Sequence, residues 1–283
     1  MEIASSGTNS RRWIGLVISV VVLLFVLFYV YSQLKATNFD FGFIPAHFFE
    51  STLIEGAKMT LFLSVVAQIF GVLLGLAAAL MRLSKNPLLN AIAGFYIWLF
   101  RGTPLLVQLI VFATGLYQIG IKLDLLPAAL LALSINEGAY MSEIIRAGIQ
   151  SIDPGQMEAA RSLGMTYSTG MRRIVLPQAA RVILPPTGNE FNNMLKSSSL
   201  ASVISVGELL QHAGDLNHQY FKTLETFVIV SCYYLFFTTL ATWGQSWLER
   251  RLGDRKQQGE APTGFFTRLR TNLSSGRSAL DHR

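Results

Sequence analysis

The apolar residues of this chain gather into runs close to the roughly 20 residues that a helix needs to cross hydrocarbon. They lie at 14–30, 52–81, 91–117, 123–145 and 223–247. A further stretch, 178–206, has the length of a span but is so polar that hydropathy alone passes over it. Counting it places the two basic segments 146–181 and 249–283 on one face of the membrane; omitting it places them on opposite faces. The pattern predicts an all-α integral membrane protein with about six spans. It divides into an N-terminal segment with a first helix (1–32), a connecting loop (33–51), one membrane domain (52–250) and a polar tail (251–283).

The first run follows Arg11 and Arg12 as in a signal peptide. It is longer than the usual apolar region of about 7–15 residues, and no small-x-small cleavage site follows. Tyr29 and Tyr31 close it in the manner of an interfacial aromatic belt. It reads as a retained span.

Composition agrees with the pattern. Apolar residues make up 51% of the 283 and charged residues only 14%, against about 25% in soluble domains. The net charge of +6 suggests nucleic acid until the charges are placed. With the sixth span included, one face holds 17 basic residues and the other only Lys35, Lys122 and Lys222. That is the inner-face bias of membrane proteins, and it puts both termini in the cytoplasm. The tail is basic and rich in Gly, Ser and Gln, a composition expected to be disordered. Its Asn272-Leu273-Ser274 sequon is silent on that side of the membrane. Cys232 has no partner in the chain, so no intrachain disulfide forms, and it reads as a small core residue.

The basic loop at 153–177 carries the clearest local signals. Asp153 can cap a helix, Pro154 suits its first position, and Gln156 can reach back as in a capping box. Gly164 offers a left-handed stop. A second short helix is expected over 167–175, ending before Pro177. Two short helices joined at a glycine make a knob on the cytoplasmic face. From the residues alone it is either an ordinary structured loop or a docking element.

Glu158-Ala159-Ala160, then Gly164, then Ile174-x-Leu176-Pro177 resembles the EAA loop of ATP-binding-cassette (ABC) import permeases at every consensus position. Arg101-Gly102-Thr103-Pro104-Leu105-Leu106-Val107-Gln108, Ala139-Tyr140-x-x-Glu143-Ile144-x-Arg146-Ala147-Gly148 and Leu195-Lys196-x-x-Ser199-Leu200-Ala201-Ser202 are similar to its polar amino-acid branch. The likeness covers about residues 56–250. It implies a type I transmembrane domain with a five-span core, to which the first helix is an addition. It further implies a bacterial inner-membrane dimer, with itself or with a homologous permease. Separate ATPase subunits that bind ATP and Mg would dock on Glu158, Ala159, Ala160, Gly164, Ile174, Leu176 and Pro177. A periplasmic or surface-anchored binding protein would deliver the amino acid, and this chain would hold no cofactor of its own.

Polar residues inside the spans mark a candidate substrate path. Gly102, Thr103 and Pro104 interrupt an apolar run beside Arg101. The interruption either unwinds the helix toward a charged substrate or forms an interfacial turn with Arg101 snorkelling to phosphate. Glu137, Tyr140 and Glu143 share roughly one helical face. An intramembrane carboxylate is costly unless paired or wet; Glu137 can meet a substrate ammonium or basic side chain, and Glu143 is expected to pair with Arg146 or Arg101. Asn189, Asn193 and Lys196 form a polar stripe for a partner helix or a water-filled path. Lys196 can neutralise a substrate carboxylate or pair with Glu190 or Glu143.

No HExxH, CxxC or Ser-His-Asp pattern occurs, and His47, His212 and His218 lack metal-ligand spacing. Gly56-Ala57-Lys58-Met59-Thr60 lacks the adjacent Gly-Lys and preceding strand of a phosphate loop, so no ATPase site is expected in this chain. Phe236, Phe237 and Trp243 read as lipid or dimer packing. Two alternatives accompany the permease reading. One is an ABC permease for another small polar solute; the other is an ion-coupled secondary transporter using Glu137, Glu190 and Lys196.

Overall fold

A computed structural model describes residues 6–36 and 39–252. The expectation of a disordered tail therefore falls almost wholly outside the described residues. Among those residues every regular element is helical.

Helix α1 (Ser6–Ala36) is followed by the short α2 (Phe43–His47) and the long α3 (Ser51–Leu83). The next helix, α4 (Pro87–Gly102), starts on an Asn86 cap whose side chain accepts from Leu88 N at 2.9 Å, with Pro87 at the first position. Such a cap satisfies one of the free N–H groups that begin a helix. The apolar run expected to continue to residue 117 breaks at Thr103 and Pro104, whose backbones are extended. Proline disfavours the helical region for the residue before it. Beyond the break α5 (Leu105–Ile110) passes through a π-helical turn (Val111–Gly115) into α6 (Leu116–Gln118).

Helix α7 (Leu125–Gln150) leads to the loop helices α8 (Pro154–Ser162) and α9 (Tyr167–Gly170), then a second π-helical turn (Met171–Val175). The chain runs straight on into α10 (Leu176–Ser197), a 3₁₀ segment (Ser198–Ile204), α11 (Leu209–Tyr220) and α12 (Thr223–Leu252).

Among the described residues three helices are long and apolar enough to cross a membrane: 15–33 within α1, α3, and 223–251 of α12; the broken pair α4 and α5–α6 would add a fourth if taken as one span. The expectation of about six spans is thus not reached by length and composition. Helices α7 and α10 fall short because they carry the polar residues singled out above, including Glu137, Glu143, Glu190 and Lys196. A protein-facing helix can carry such groups where a lipid-facing one cannot.

The chain forms two compact units, each of discontinuous segments. The first comprises, of the described residues, 6–36, 39–67, 104–133 and 194–237. Its core gathers Leu63 and Ala67 of α3, Leu109 of α5, Leu133 of α7 and Ile204 of the 3₁₀ segment around the fully buried Ala128, Ala129 and Ala132. Small residues let helix backbones approach closely where water supplies no driving force. The second unit comprises 68–103, 134–193 and, of the described tail, 238–252. Its core joins Ala79 of α3, Met141, Ile145 and Ile149 of α7, Val175 of the π turn and Ala179 of α10.

Two packing expectations change. Cys232 is exposed on α12 rather than buried, which a lipid-facing surface permits because it is itself apolar. Of the aromatic residues on α12, Phe236 and Trp243 are exposed whereas Phe237 is buried in the first unit.

Candidate functional site

The loop at 153–177 is a compact structure held by its own chain. Asp153 Oδ1 accepts from Gly155 N at 2.6 Å, capping α8 over Pro154. At the far end Met165 N bonds Ala160 O and Gly164 N bonds Arg161 O, with Gly164 at φ +77. These are the two bonds of a Schellman stop, which favours glycine at the left-handed position. The Arg161 guanidinium lies over the Tyr167 ring at 5.8 Å, closing α8 against α9. Thr166 caps α9 by accepting from Thr169 N at 3.3 Å.

Two details differ from the reading of the residues. Gln156 does not close a capping box; its Oε1 accepts from Gln178 Nε2 at 3.3 Å, tying α8 to α10. Nor does the second helix end before Pro177. The π turn puts Leu176 N on Met171 O, and the following residue, Pro177, sits in the first turn of α10, where a missing N–H costs little.

The motif residues divide by exposure. Glu158, Ala159, Gly164, Leu176 and Pro177 are exposed, Ile174 is half-buried and Ala160 is buried. Beneath the exposed face, Met157 of α8 and Met171 of the π turn pack against the cluster that Met141, Ile145 and Ile149 of α7 form with Ala79 of α3. A presented surface is thus seated on the core of the second unit.

The polar residues of the spans fall into separate settings. In the second unit the Arg101 guanidinium lies over the Tyr140 ring at 5.2 Å, and Arg101, Gly102 and Thr103 are exposed at the break. Tyr96 OH donates to Ile135 O at 2.6 Å and Asn136 Nδ2 to Phe100 O at 3.2 Å, fixing α4 to α7. Glu143 takes the expected partner Arg146, at 2.6 Å. Glu137 is only 3% exposed. A Cβ on Gly71 would strike its side chain, so glycine admits the carboxyl between α3 and α7. Glu190 is within electrostatic range and Gln68 lies beside it. Glu137 Oε1 and both polar atoms of the Gln68 amide are buried with no hydrogen-bond partner. Asn189 and Asn193 are exposed on α10. Lys196 belongs to the first unit and is exposed there.

Three residues escaped the reading of the sequence as chemistry. Gln68 and Gln245 are each a single amide in an apolar stretch, which periodicity does not flag. Glu208 is fully buried in the first unit, in the connection 207–222. It caps α11 through Gln211 N at 2.9 Å and accepts from Thr60 Oγ1 at 3.3 Å and Tyr234 OH at 3.2 Å. Burial pushes its carboxyl above the ordinary carboxylate range, and these donors partly offset that. Its reach to α3 and α12 is a long-range fact that local spacing does not reveal.

Comparison with known proteins makes the class of this chain definite. Residues 71–254 match the family of binding-protein-dependent transport system inner membrane components, and the chain belongs to that family. It is 37% identical over 253 residues to the arginine transport system permease protein ArgU of Corynebacterium glutamicum, covering 84% of this chain and 79% of that protein. It is 39% identical to the probable glutamine ABC transporter permease protein GlnM of Bacillus subtilis, over 71% of this chain and 94% of that one. Among solved structures, an amino acid ABC transporter crystallised with histidines superposes with a TM-score of 0.70 at 43% identity, covering 75% of this chain and 98% of that chain.

Proposed function

We propose that this chain is the membrane-spanning subunit of an ABC importer for polar amino acids. The observation that carries the proposal is the loop at 153–177. Its motif residues Glu158, Ala159 and Gly164 are exposed on a capped knob whose underside, through Met157 and Met171, packs against the core of the second unit. A partner ATPase seated on that face would move the spans without chemistry in this chain. ATP and Mg would be held by the ATPase subunits, and a second permease chain would complete the path. A binding protein would deliver substrate from outside, with both termini of this chain in the cytoplasm. The arginine and glutamine permeases among the relatives support an amino acid as cargo.

Within the membrane, Glu137 is the proposed substrate contact. Its buried carboxylate oxygen makes no hydrogen bond of good geometry and has only the neighbouring Gln68 amide to favour its charge, which is a costly arrangement. A substrate ammonium or basic side chain would relieve it. Arg101, Gly102, Thr103, Tyr140, Asn189, Asn193 and Lys196 are proposed to line the path.

The test is uptake into proteoliposomes holding the complex with its ATPases and binding protein. Uptake is expected to need ATP and to be lost in Glu158→Lys and Gly164→Asp while the permease stays folded in the membrane. Uptake driven by an ion gradient with no ATPase present would establish the secondary-transporter alternative instead.

A further inference from the structure

Helix α10 follows the 153–177 loop without interruption and contains Pro185 and Pro186 in its interior. Proline supplies no N–H to the helix ladder, so α10 is weakest there. At this level one side chain of α12 reaches across. Gln245 Nε2 donates to Pro185 O at 3.0 Å and to Glu249 Oε1 of its own helix at 2.8 Å. The amide lies flat against α10 because residue 188 is glycine; a Cβ there would come within 2.6 Å of Gln245 Cγ and Oε1. Further along the same helix pair, Asn192 Nδ2 donates to Thr242 Oγ1 at 3.2 Å. A cavity of about 200 Å³, lined by Leu184, Thr187, Phe191 and Gly244 among others, lies beside the Gln245 contact. The groove runs along the surface where the polar tie is made.

We propose that Gln245 is a positioning residue for transport. It clamps α12 to the proline pair of α10, so that residues 176–193 and 238–252 move as one body when the 153–177 loop is displaced. All of these groups belong to the second unit. Without the clamp, α10 would flex at Pro185 and Pro186, and displacement at the loop would dissipate before reaching α12. The proposal rests on the coupling role given to the loop. It assigns a task to an amide that touches neither the motif nor the candidate substrate residues.

Two variants test it in the reconstituted complex. Gln245→Leu keeps the bulk and removes both hydrogen bonds. Uptake per ATP hydrolysed is expected to fall about tenfold while hydrolysis and the melting temperature hold. An unchanged ratio, or uptake and hydrolysis falling together with the melting temperature, would reduce Gln245 to packing and overturn the proposal. The second variant joins Gly188→Cys to Gln245→Cys in a Cys232→Ser background; a Cβ at 188 would lie 2.6 Å from the present Gln245 Cγ, the position a cysteine sulfur at 245 would take. If the helices move as one body, the oxidised protein keeps its uptake. A block of uptake that a reductant reverses would mean that they must separate, and would overturn it. The Gly164→Asp control judges the loop separately: uptake surviving there sinks the coupling reading, whereas the cross-link reports on the clamp alone.

Discussion

Glu208 shows how far a single buried carboxylate can reach. It serves Thr60 of α3, Gln211 of α11 and Tyr234 of α12 at once, so its removal takes one buried acceptor from each of them. A buried group left unpaired costs about 1–3 kcal/mol. Glu208→Ala is therefore expected to destabilise the protein by about 2 kcal/mol, read as a lowered melting temperature in detergent. Glu208→Gln is expected to fall between the two, because the amide oxygen still accepts. Glu137 is the opposite case, a carboxyl whose Oε1 has no donor. Glu137→Gln is expected to leave the melting temperature level or higher while raising the substrate concentration for half-maximal uptake. Unchanged apparent affinity would remove Glu137 from the path.

The elements were legible in the sequence to the extent that their signals were local. Asp153, Pro154 and Gly164 are capping residues, and α8 begins and stops where they specify. The break after Gly102 was legible for the same reason, since proline acts on its immediate neighbour. Pro177 misled because the same local rule makes proline a stop, whereas a π turn upstream had already shifted the hydrogen-bond register. Gln156 misled because its partner, Gln178, lies 22 residues away. Contacts of this kind leave no trace in spacing, and the Gln245 clamp is another. The seating of α8 gives a further prediction: a Cβ on Gly170 would meet Met157 Sδ at 2.9 Å and Ala160 Cβ at 3.3 Å. Gly170→Leu is expected to lift α8 from its seat. Pull-down from membranes should then recover normal amounts of permease with little ATPase attached.

At the scale of the whole molecule, α1 stands apart from every other long helix. None of its apolar window is buried, against 33% of that of α3 and 28% of that of α12, and the family match begins only at residue 71. Burial of apolar area against protein contributes nothing to holding α1, since lipid covers a leucine as well as a neighbouring helix does. What keeps it in place is its own hydropathy of 2.5 over 15–33, enough to anchor a helix without any seat. The folding of the two units and the loop–α10–α12 linkage should then be independent of it. A chain beginning at residue 39 is expected to insert, assemble with its ATPases and transport within about twofold of the full chain, a difference below 0.5 kcal/mol. Purified complex compared at equal permease content measures this directly. Loss of ATP hydrolysis on truncation would show that α1 does pack on the assembled complex, on a surface that only a neighbouring subunit completes.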